Sequence, residues 1–339
     1  MPVRDVPPLA RLQAVARVVA VPMVTRFRGL TTREAMLFDG PSGWGEFAPF
    51  VEYPPAEAAR WLAAAVEAAW GRWPAPLRAS VRVNAIVPAV DPGEAARLVR
   101  DSRGCRTAKV KVAERGHSLD EDIARVVAVA AALAEAGTGG RVRVDANGAW
   151  TVAEAVTAVP ELVAACGGPD AFEYAEQPCA TLAEQAEVRR RVDVRLAVDE
   201  GVRKAADPRH VAGLREAADI LVLKVAPLGG VAAALHIAAA YGLPVVVSSA
   251  LDTSVGLAAG VAMAAALPEL DLACGLGSGR LLARDVVGAA TRLLPVDGAL
   301  AVTRPVPDPG LLDELVVGPE RERWWRSRLD AAYEIMAAR

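Results

Sequence analysis

The chain has 339 residues, 53% of them hydrophobic, and a formal net charge of −3. That composition supplies a core large enough for one barrel or two domains and excludes an intrinsically disordered chain. No basic field or Lys/Arg block is present to attract nucleic acid or an anionic membrane surface.

The N-terminal stretch MPVRDVPPLARLQ carries charges and prolines where a signal peptide needs an apolar run, which predicts a cytoplasmic protein. Strand-like segments are expected at 12–21 and 34–38. They are followed by the turn-rich DGPSGWGEFAPF and by an Ala-rich amphipathic helix from about Pro55 to Gly71. Strands followed by a helix, without alternation, predict a small α+β unit. From about Ser80 short β-rich runs recur, at 80–87, 107–112, 141–145, 171–176, 194–199, 219–224, 243–249 and 270–275. Segments of helical period such as 121–136, 151–166, 181–192 and 229–241 lie between them.

A strand-to-strand spacing of roughly 23 to 34 residues is the length of one parallel β/α unit. Eight such units predict a TIM-type (β/α)₈ barrel. A doubly wound sheet is the structural alternative, but it carries a Gly-rich phosphate loop after its first strand, and here that strand runs into NAIVPAVDPGE. The Ala/Gly-rich stretch 255–267 is too short to span a bilayer and is expected as a buried helix. The tail contains a hairpin-like PVDGALAV and a charged helix, PERERWWRSRLDAAYEIM, expected to return over the N-terminal unit. The resulting division is 1–78 for the first part of an α+β capping domain, 79–285 for the barrel, and 286–339 for the returning segment. Cys105, Cys166, Cys179 and Cys274 lie far apart with no C-x-x-C pair, so reduced, buried thiols are expected.

Of the 38 lysines and arginines only four are lysines: Lys109, Lys111, Lys204 and Lys224. Where any cation would serve, the sequence uses arginine, so the surviving lysines are candidates for proton chemistry, which guanidinium cannot perform near neutral pH. Lys204, in the polar stretch GVRKAADPRH, is read as a chance survivor. Lys109 and Lys111 end one predicted strand and Lys224 ends another. Asp145, Glu176 and Asp199 end three strands between them, and strand ends of a barrel converge on one mouth. Three convergent carboxylates repel unless neutralised, and oxygen-only ligands suit Mg²⁺, with Mn²⁺ as a substitute. Proton abstraction next to a carboxylate is the chemistry such a site supports. The divalent ion stabilises the enediolate and a lysine acts as base. The expected partner is thus a small-molecule carboxylate; the sequence assigns no oligomeric state.

The K-x-K of Lys109 and Lys111, D-A-N at Asp145, E-Q-P at Glu176, D-E-G at Asp199 and K-x-x-P-L-G-G from Lys224 together resemble the enolase superfamily, specifically its muconate-lactonizing subgroup. The resemblance runs along nearly the whole chain and implies a capping domain, built from both chain ends, over the barrel mouth. The His-Asp dyad of the mandelate-racemase subgroup is not expected, because His117, His210 and His236 fall in loop or helix stretches. Within the muconate-lactonizing subgroup, R-x-D-x-N at 143–147 and the Ser-rich segment 248–256 are similar to those of o-succinylbenzoate synthases.

That resemblance implies Mg²⁺-dependent loss of water from 2-succinyl-6-hydroxy-2,4-cyclohexadiene-1-carboxylate, giving o-succinylbenzoate for menaquinone synthesis. Lys111 and Lys224 would be the catalytic pair, and Asp145, Glu176 and Asp199 the metal ligands. Lys109, Arg143, Asn147 and Glu200 would support them, and Ser248, Ser249 and Gly275 would contact substrate. An N-succinylamino acid racemase, a bifunctional enzyme, or another cycloisomerase or epimerase of the subgroup stays open. The acidic D-x-D type motif of dipeptide epimerases is not evident near the eighth predicted strand.

Overall fold

The computed structural model describes residues 6–137 and 139–338, so the first five residues of the N-terminal stretch lie outside it. Among the described residues no helix is long and apolar enough to cross a membrane. All four cysteines are free and buried, as expected.

The chain opens with helix α1 (Leu9–Val15) and the antiparallel strands β1 (Ala16–Phe27), β2 (Leu30–Gly40) and β3 (Gly43–Phe47). Two expectations change here. Residues 12–15 are helical rather than extended, because LARLQAV is made mainly of good helix formers and its Leu12 turns inward to full burial. The turn-rich stretch contains β3, which pairs with β2 across a tight Gly40–Gly43 turn. Helix α2 (Pro55–Trp70) begins with proline in its first turn and buries Trp61, Leu62 and Val66.

Next come β4 (Ser80–Arg82), β5 (Ala85–Val87), α3 (Pro92–Arg100), β6 (Thr107–Lys111), α4 (Leu119–Glu135), β7 (Arg141–Asp145), α5 (Val152–Ala165), β8 (Phe172–Glu176) and α6 (Leu182–Arg189). Each of these four helices starts on a side-chain cap, Asp91, Ser118, Thr151 or Thr181. The last three form reciprocal capping boxes with Glu121, Glu154 and Glu184. There follow β9 (Leu196–Val198), the short α7 (Glu200–Arg203) and α8 (Leu214–Ala217), β10 (Ile220–Lys224), the short α9 (Val225–Leu228), α10 (Val231–Tyr241), β11 (Val245–Ser248) and α11 (Ser254–Ala266). The tail holds β12 (Ala299–Ala301), α12 (Pro309–Leu315) and α13 (Pro319–Ala337), after a turn at Asp297 and Gly298 that brings Val296 opposite Ala299.

Seven strands form one parallel sheet in the order β11–β10–β9–β8–β7–β6–β5. The eight-stranded regularity expected from sequence is absent from this ladder. Residues 270–275 form no strand; Cys274 bridges Val83 and Gly275 bridges Ser248, so the two edges of the sheet meet on two residues. The expected strand 80–87 is broken at Val83–Asn84. There the Val83 amide donates to Gly298 O and the Asn84 amide to Cys274 O, while β4 pairs antiparallel with β12. Backbone donors divided between two neighbours cannot extend either ladder.

One face of the sheet, including Val110, Val144, Val198 and Leu223, packs with the helices into the largest core. Each such side chain contributes about 1.5–3 kcal/mol on burial. Tyr174, Ala197, Ile220, Val222, Val246 and Leu272 form a separate cluster. They alternate with the outer set, as period-two strands require, and fill the inside.

The β1–β3 unit docks through carboxylates. Glu67 of α2 accepts the amides of Val231 and Ala232 at the start of α10, whose N-cap residue, Gly230, has no side chain to do so. Glu46 of β3 accepts the Thr253 and Gly256 amides at the start of α11. Helix α13 returns onto the same unit: Trp325 lies edge-on to Phe47, and its indole donates to Glu34.

Candidate active site

Parallel pairing sets the site residues in one layer. Lys111 is registered opposite Asp145, Asp145 opposite Glu176, and Lys224 opposite Ser248; Asp199 follows β9 directly. The two-residue period puts Lys109 on the same side of β6 as Lys111. Lys109 Nζ donates to Asp145 Oδ2 and to Glu176 Oε1, both at 2.8 Å. Lys111 Nζ donates to the same Asp145 oxygen at 2.7 Å and to Asn147 Oδ1. Across the mouth, Lys224 Nζ donates to Asp199 Oδ2.

Electrostatics follow from burial. Asp145 and Glu176 are 1% exposed and Asp199 is fully buried. Burial opposes the charge of Lys109, but Asp145 and then Glu176 outweigh it and hold the ammonium well above its ordinary pKa. Burial likewise works against the Asp145 carboxylate, and Lys109 and Lys111 reverse that, holding it far below the usual range. Glu176 goes the other way: burial, reinforced by Asp145, pushes it up to about 7. Asp199, opposed by burial but facing Lys224 and Arg203, is held down to about 2.

Among the described residues no three Asp, Glu, His or Cys groups stand close enough together to hold a metal ion, because lysines bridge these carboxylates. The donor chemistry nevertheless suits a hard cation. Three buried carboxylates on neighbouring strands offer only oxygen, and Glu176 Oε2 is buried without a hydrogen-bond partner.

The cavity above this layer has a volume of about 270 Å³. Lys109, Lys111, Lys224 and Asp145 line it, with Asn147 and Glu200 beside them. Ser248, Ser249 and Gly275 also line it. Ser249 Oγ lies 3.2 Å from Gly275 O, to which it can donate, and 2.7 Å from Ser278 Oγ, whose hydroxyl can donate to it. A Cβ on Gly275 would lie 2.6 Å from Ser248 Oγ, so only glycine allows this approach. Glu176 and Asp199 lie beneath the lining. Arg143 is buried lower still, joining Glu173, Asn84 Oδ1 and Ala273 O. It ties β7 to the seam at 273–275 rather than touching the cavity. Arg28, Phe50, Tyr53 and Trp61 cover the mouth; the Arg28 guanidinium sits 4.2 Å from the Phe50 ring centre.

Two residues outside the expected set order the site. Gln177 Oε1 accepts the amides of Asp199 and Gly201. Arg203 donates to Asp199 Oδ1 at 3.1 Å and to Glu200 Oε1 at 2.6 Å. Gln177 was visible as the middle of E-Q-P. Arg203 stands four residues after Asp199, a spacing that becomes a contact only once the short α7 is known. None of the three histidines lines the cavity: His117 meets Arg125, His210 meets Asp207, and His236 lies on α10.

A cap over the mouth of a parallel β/α sheet, with lysines and carboxylates gathered at the strand ends, is an arrangement whose fold is shared with known enzymes. Residues 92–315 match the enolase C-terminal domain-like family and residues 18–69 the enolase N-terminal domain-like family. The solved muconate lactonizing enzyme from Pseudomonas fluorescens, complexed with muconolactone, has a TM-score of 0.71 at 19% identity, covering 89% of this chain and 98% of that one. The L-Ala-D/L-Glu epimerase from Bacillus subtilis gives 0.70 at 22% identity, with 86% and 96% covered. Both likenesses are of fold.

Sequence is more specific. The o-succinylbenzoate synthase of Mycobacterium tuberculosis H37Rv is 54% identical over 330 residues, 97% of each chain. That of Mycobacterium marinum is 53% identical over 322 residues, 95% of this chain and 94% of its own. The chain belongs to the enolase superfamily and, within it, to the o-succinylbenzoate synthase family.

Proposed function

We propose that the protein catalyses divalent-metal-dependent dehydration of 2-succinyl-6-hydroxy-2,4-cyclohexadiene-1-carboxylate to o-succinylbenzoate, a carbon–oxygen lyase reaction serving menaquinone synthesis. The observation that carries this reading is the opposition of Lys111 and Lys224 across one cavity, each 14% exposed and each anchored to a different buried carboxylate. Family membership supplies the substrate class.

Asp145, Glu176 and Asp199 would hold Mg²⁺, or Mn²⁺ in its place. When bound, such an ion supplies Lewis-acid stabilisation of the negative charge that develops on the substrate carboxylate. Lys111 Nζ removes the α-proton, oriented by Asp145 and Asn147. Lys224 stays protonated opposite it and steadies the developing charge. Protonated Lys111 then returns its proton to the departing hydroxyl, which leaves as water as the ring becomes aromatic. Ser248, Ser249 and the Gly275 backbone shape the substrate side, and Lys109 separates Asp145 from Glu176. Arg143, Asn147 and Glu200 hold the surrounding frame. Residues 1–78 and 286–339 act together as the cap over an enolase-type (β/α)₈ barrel at 79–285, a division supported by the contact of α13 with Phe47 and Glu34.

The test is a turnover assay on purified, Mg²⁺-loaded protein with the cyclohexadiene carboxylate, following the aromatic product by ultraviolet absorbance. Product formed by the native chain, and lost in Lys111→Ala and in chelated samples, is expected. A folded, metal-loaded protein that forms no product would overturn the assignment.

A further inference from the structure

Arg203 stands where three parts of the molecule meet. It is 4% exposed, and all three of its guanidinium nitrogens are used. Nε donates to Asp199 Oδ1 at 3.1 Å, Nη2 to Glu200 Oε1 at 2.6 Å, and Nη1 to the Tyr53 hydroxyl at 3.2 Å. Each contact leads onward. The other oxygen of Asp199 accepts from Lys224. Glu200 Oε1 also accepts from Asn147 Nδ2 at 3.4 Å, and Asn147 Oδ1 accepts from Lys111. Tyr53 belongs to the loop ahead of α2, where it packs edge-on to Phe50 and tilted against Trp61 over the cavity mouth. A single side chain is therefore one contact from the covering loop, two from Lys224 and three from Lys111.

The surroundings hold Arg203 in place. From α2, Arg60 donates to the Arg203 carbonyl at 3.1 Å and to Ala205 O at 3.0 Å, so the covering unit grips the backbone of this turn as well as the guanidinium. A planar fork with each of its three nitrogens engaged has little freedom to re-aim without breaking a charged hydrogen bond. Lysine could not reproduce the three directions.

We infer that Arg203 is a positioning residue through which the Tyr53 loop sets the orientation of Asp199 and, by way of Glu200 and Asn147, of both lysines. This rests on the function proposed above. With the loop docked, Tyr53 fixes the guanidinium, which presents Asp199 to the metal and to Lys224. Without the Tyr53 hydroxyl, the fork can turn and Asp199 loses its aim.

The experiment measures Mn²⁺ affinity by titration calorimetry, together with kcat and KM, in Arg203→Met, Arg203→Lys, Tyr53→Phe and the double variants. Arg203→Met is expected to weaken Mn²⁺ binding roughly 10- to 100-fold, the usual cost of losing a group that orients a metal ligand. Tyr53→Phe is expected to weaken it about 3- to 10-fold, the effect of one ordinary intramolecular hydrogen bond. Both should lower kcat more than they change KM. In the Arg203→Met background Tyr53→Phe should add nothing, because its path is already cut.

Native-like Mn²⁺ affinity in Arg203→Met, or effects of the two substitutions that multiply independently, would overturn the inference. Should Arg203→Met not fold, Arg203→Lys and its double variant carry the same comparison. A native chain that neither binds Mn²⁺ nor turns over substrate overturns the proposed function and this inference together. A native chain that does both, with variants indistinguishable from it, overturns the inference alone.

Discussion

Lys109 and Lys111 meet on a single oxygen: both ammonium groups donate to Oδ2 of Asp145, at 2.8 and 2.7 Å. They are not equivalent. Lys109 has a second carboxylate partner, Glu176, whereas the second partner of Lys111 is the neutral Asn147 amide at the exposed end of the strand. The first lysine bridges two buried carboxylates, and the second, held by one, is the lysine we propose exchanges a proton with the substrate.

Substituting the two should therefore give different failures. Lys111→Ala is expected to lower kcat roughly 10²- to 10⁴-fold, the range for loss of a general base, with little change in urea unfolding. Lys109→Met leaves buried Glu176 without its cation beside Asp145, which keeps only Lys111, and should cost about 3–5 kcal/mol in the same unfolding measurement. Equal stability losses in both variants would contradict the division of roles.

Metal should be needed for activity and should stabilise the fold. Chelation is expected to abolish turnover, and Mg²⁺ or Mn²⁺ to restore it. At a hundred times its dissociation constant the ion should add about 2.7 kcal/mol to the unfolding free energy. Asp199→Asn should remove most of this gain. A melting curve insensitive to either ion would argue against the carboxylate layer as a metal site.

The burial of Glu46 beside Asp252, against the opposing hydrogen bond from Thr253, predicts a pH dependence of stability. Burial, helped by Asp252, pushes Glu46 up to about 8 against an ordinary value of 4.5. The folded protein thus keeps a proton that the unfolded chain gives up. The associated stability is fully present below about pH 4.5 and is lost as pH rises through 8, at up to ~1.4 kcal/mol per pH unit. Urea titrations at pH 5, 7 and 9 should show this decline. It should flatten in Glu46→Gln, which keeps the shape of the acid but cannot ionise.

Docking of α2 on α10 depends on Gly230 as well as Glu67. Gly230 sits at φ 124°, and a Cβ there would come within 2.4 Å of Glu67 Oε2. Gly230→Ala should lower thermal stability both through backbone strain and by displacing that carboxylate from the Val231 and Ala232 amides. Glu67→Ala, which leaves the helix start uncapped, should cost about 1–3 kcal/mol; Glu67→Gln should cost less.

The lysine pair also bears on racemisation. With an N-succinyl amino acid in deuterium oxide, the native chain should incorporate deuterium at the α-carbon if Lys224 can act as a base on the opposite face, and Lys224→Ala should abolish incorporation from one enantiomer. No exchange would restrict Lys224 to its cationic role.

Much of this protein was determined by local sequence. Strand and helix periods placed the parallel β/α units. Ser118, Thr151 and Thr181 with their Glu partners started helices where the pattern said they should. Strand-end residues marked Lys111, Asp145, Glu176 and Lys224, because period two and a common strand direction suffice to converge them. What the chain alone did not decide depends on competition between distant partners. The run 80–87 has the composition of one strand, yet Gly298 and Cys274 divide its backbone donors, so the ladder stops at seven strands with a two-residue seam. The segment 12–15 is apolar enough for a strand but closes as the end of α1. Arg203 is one arginine among 34 in the sequence, and its place between Tyr53, Asp199 and Glu200 is created by a loop 150 residues away. Periodicity is a property of neighbours along the chain; which donor meets which acceptor across it is settled only when the tertiary packing brings them together.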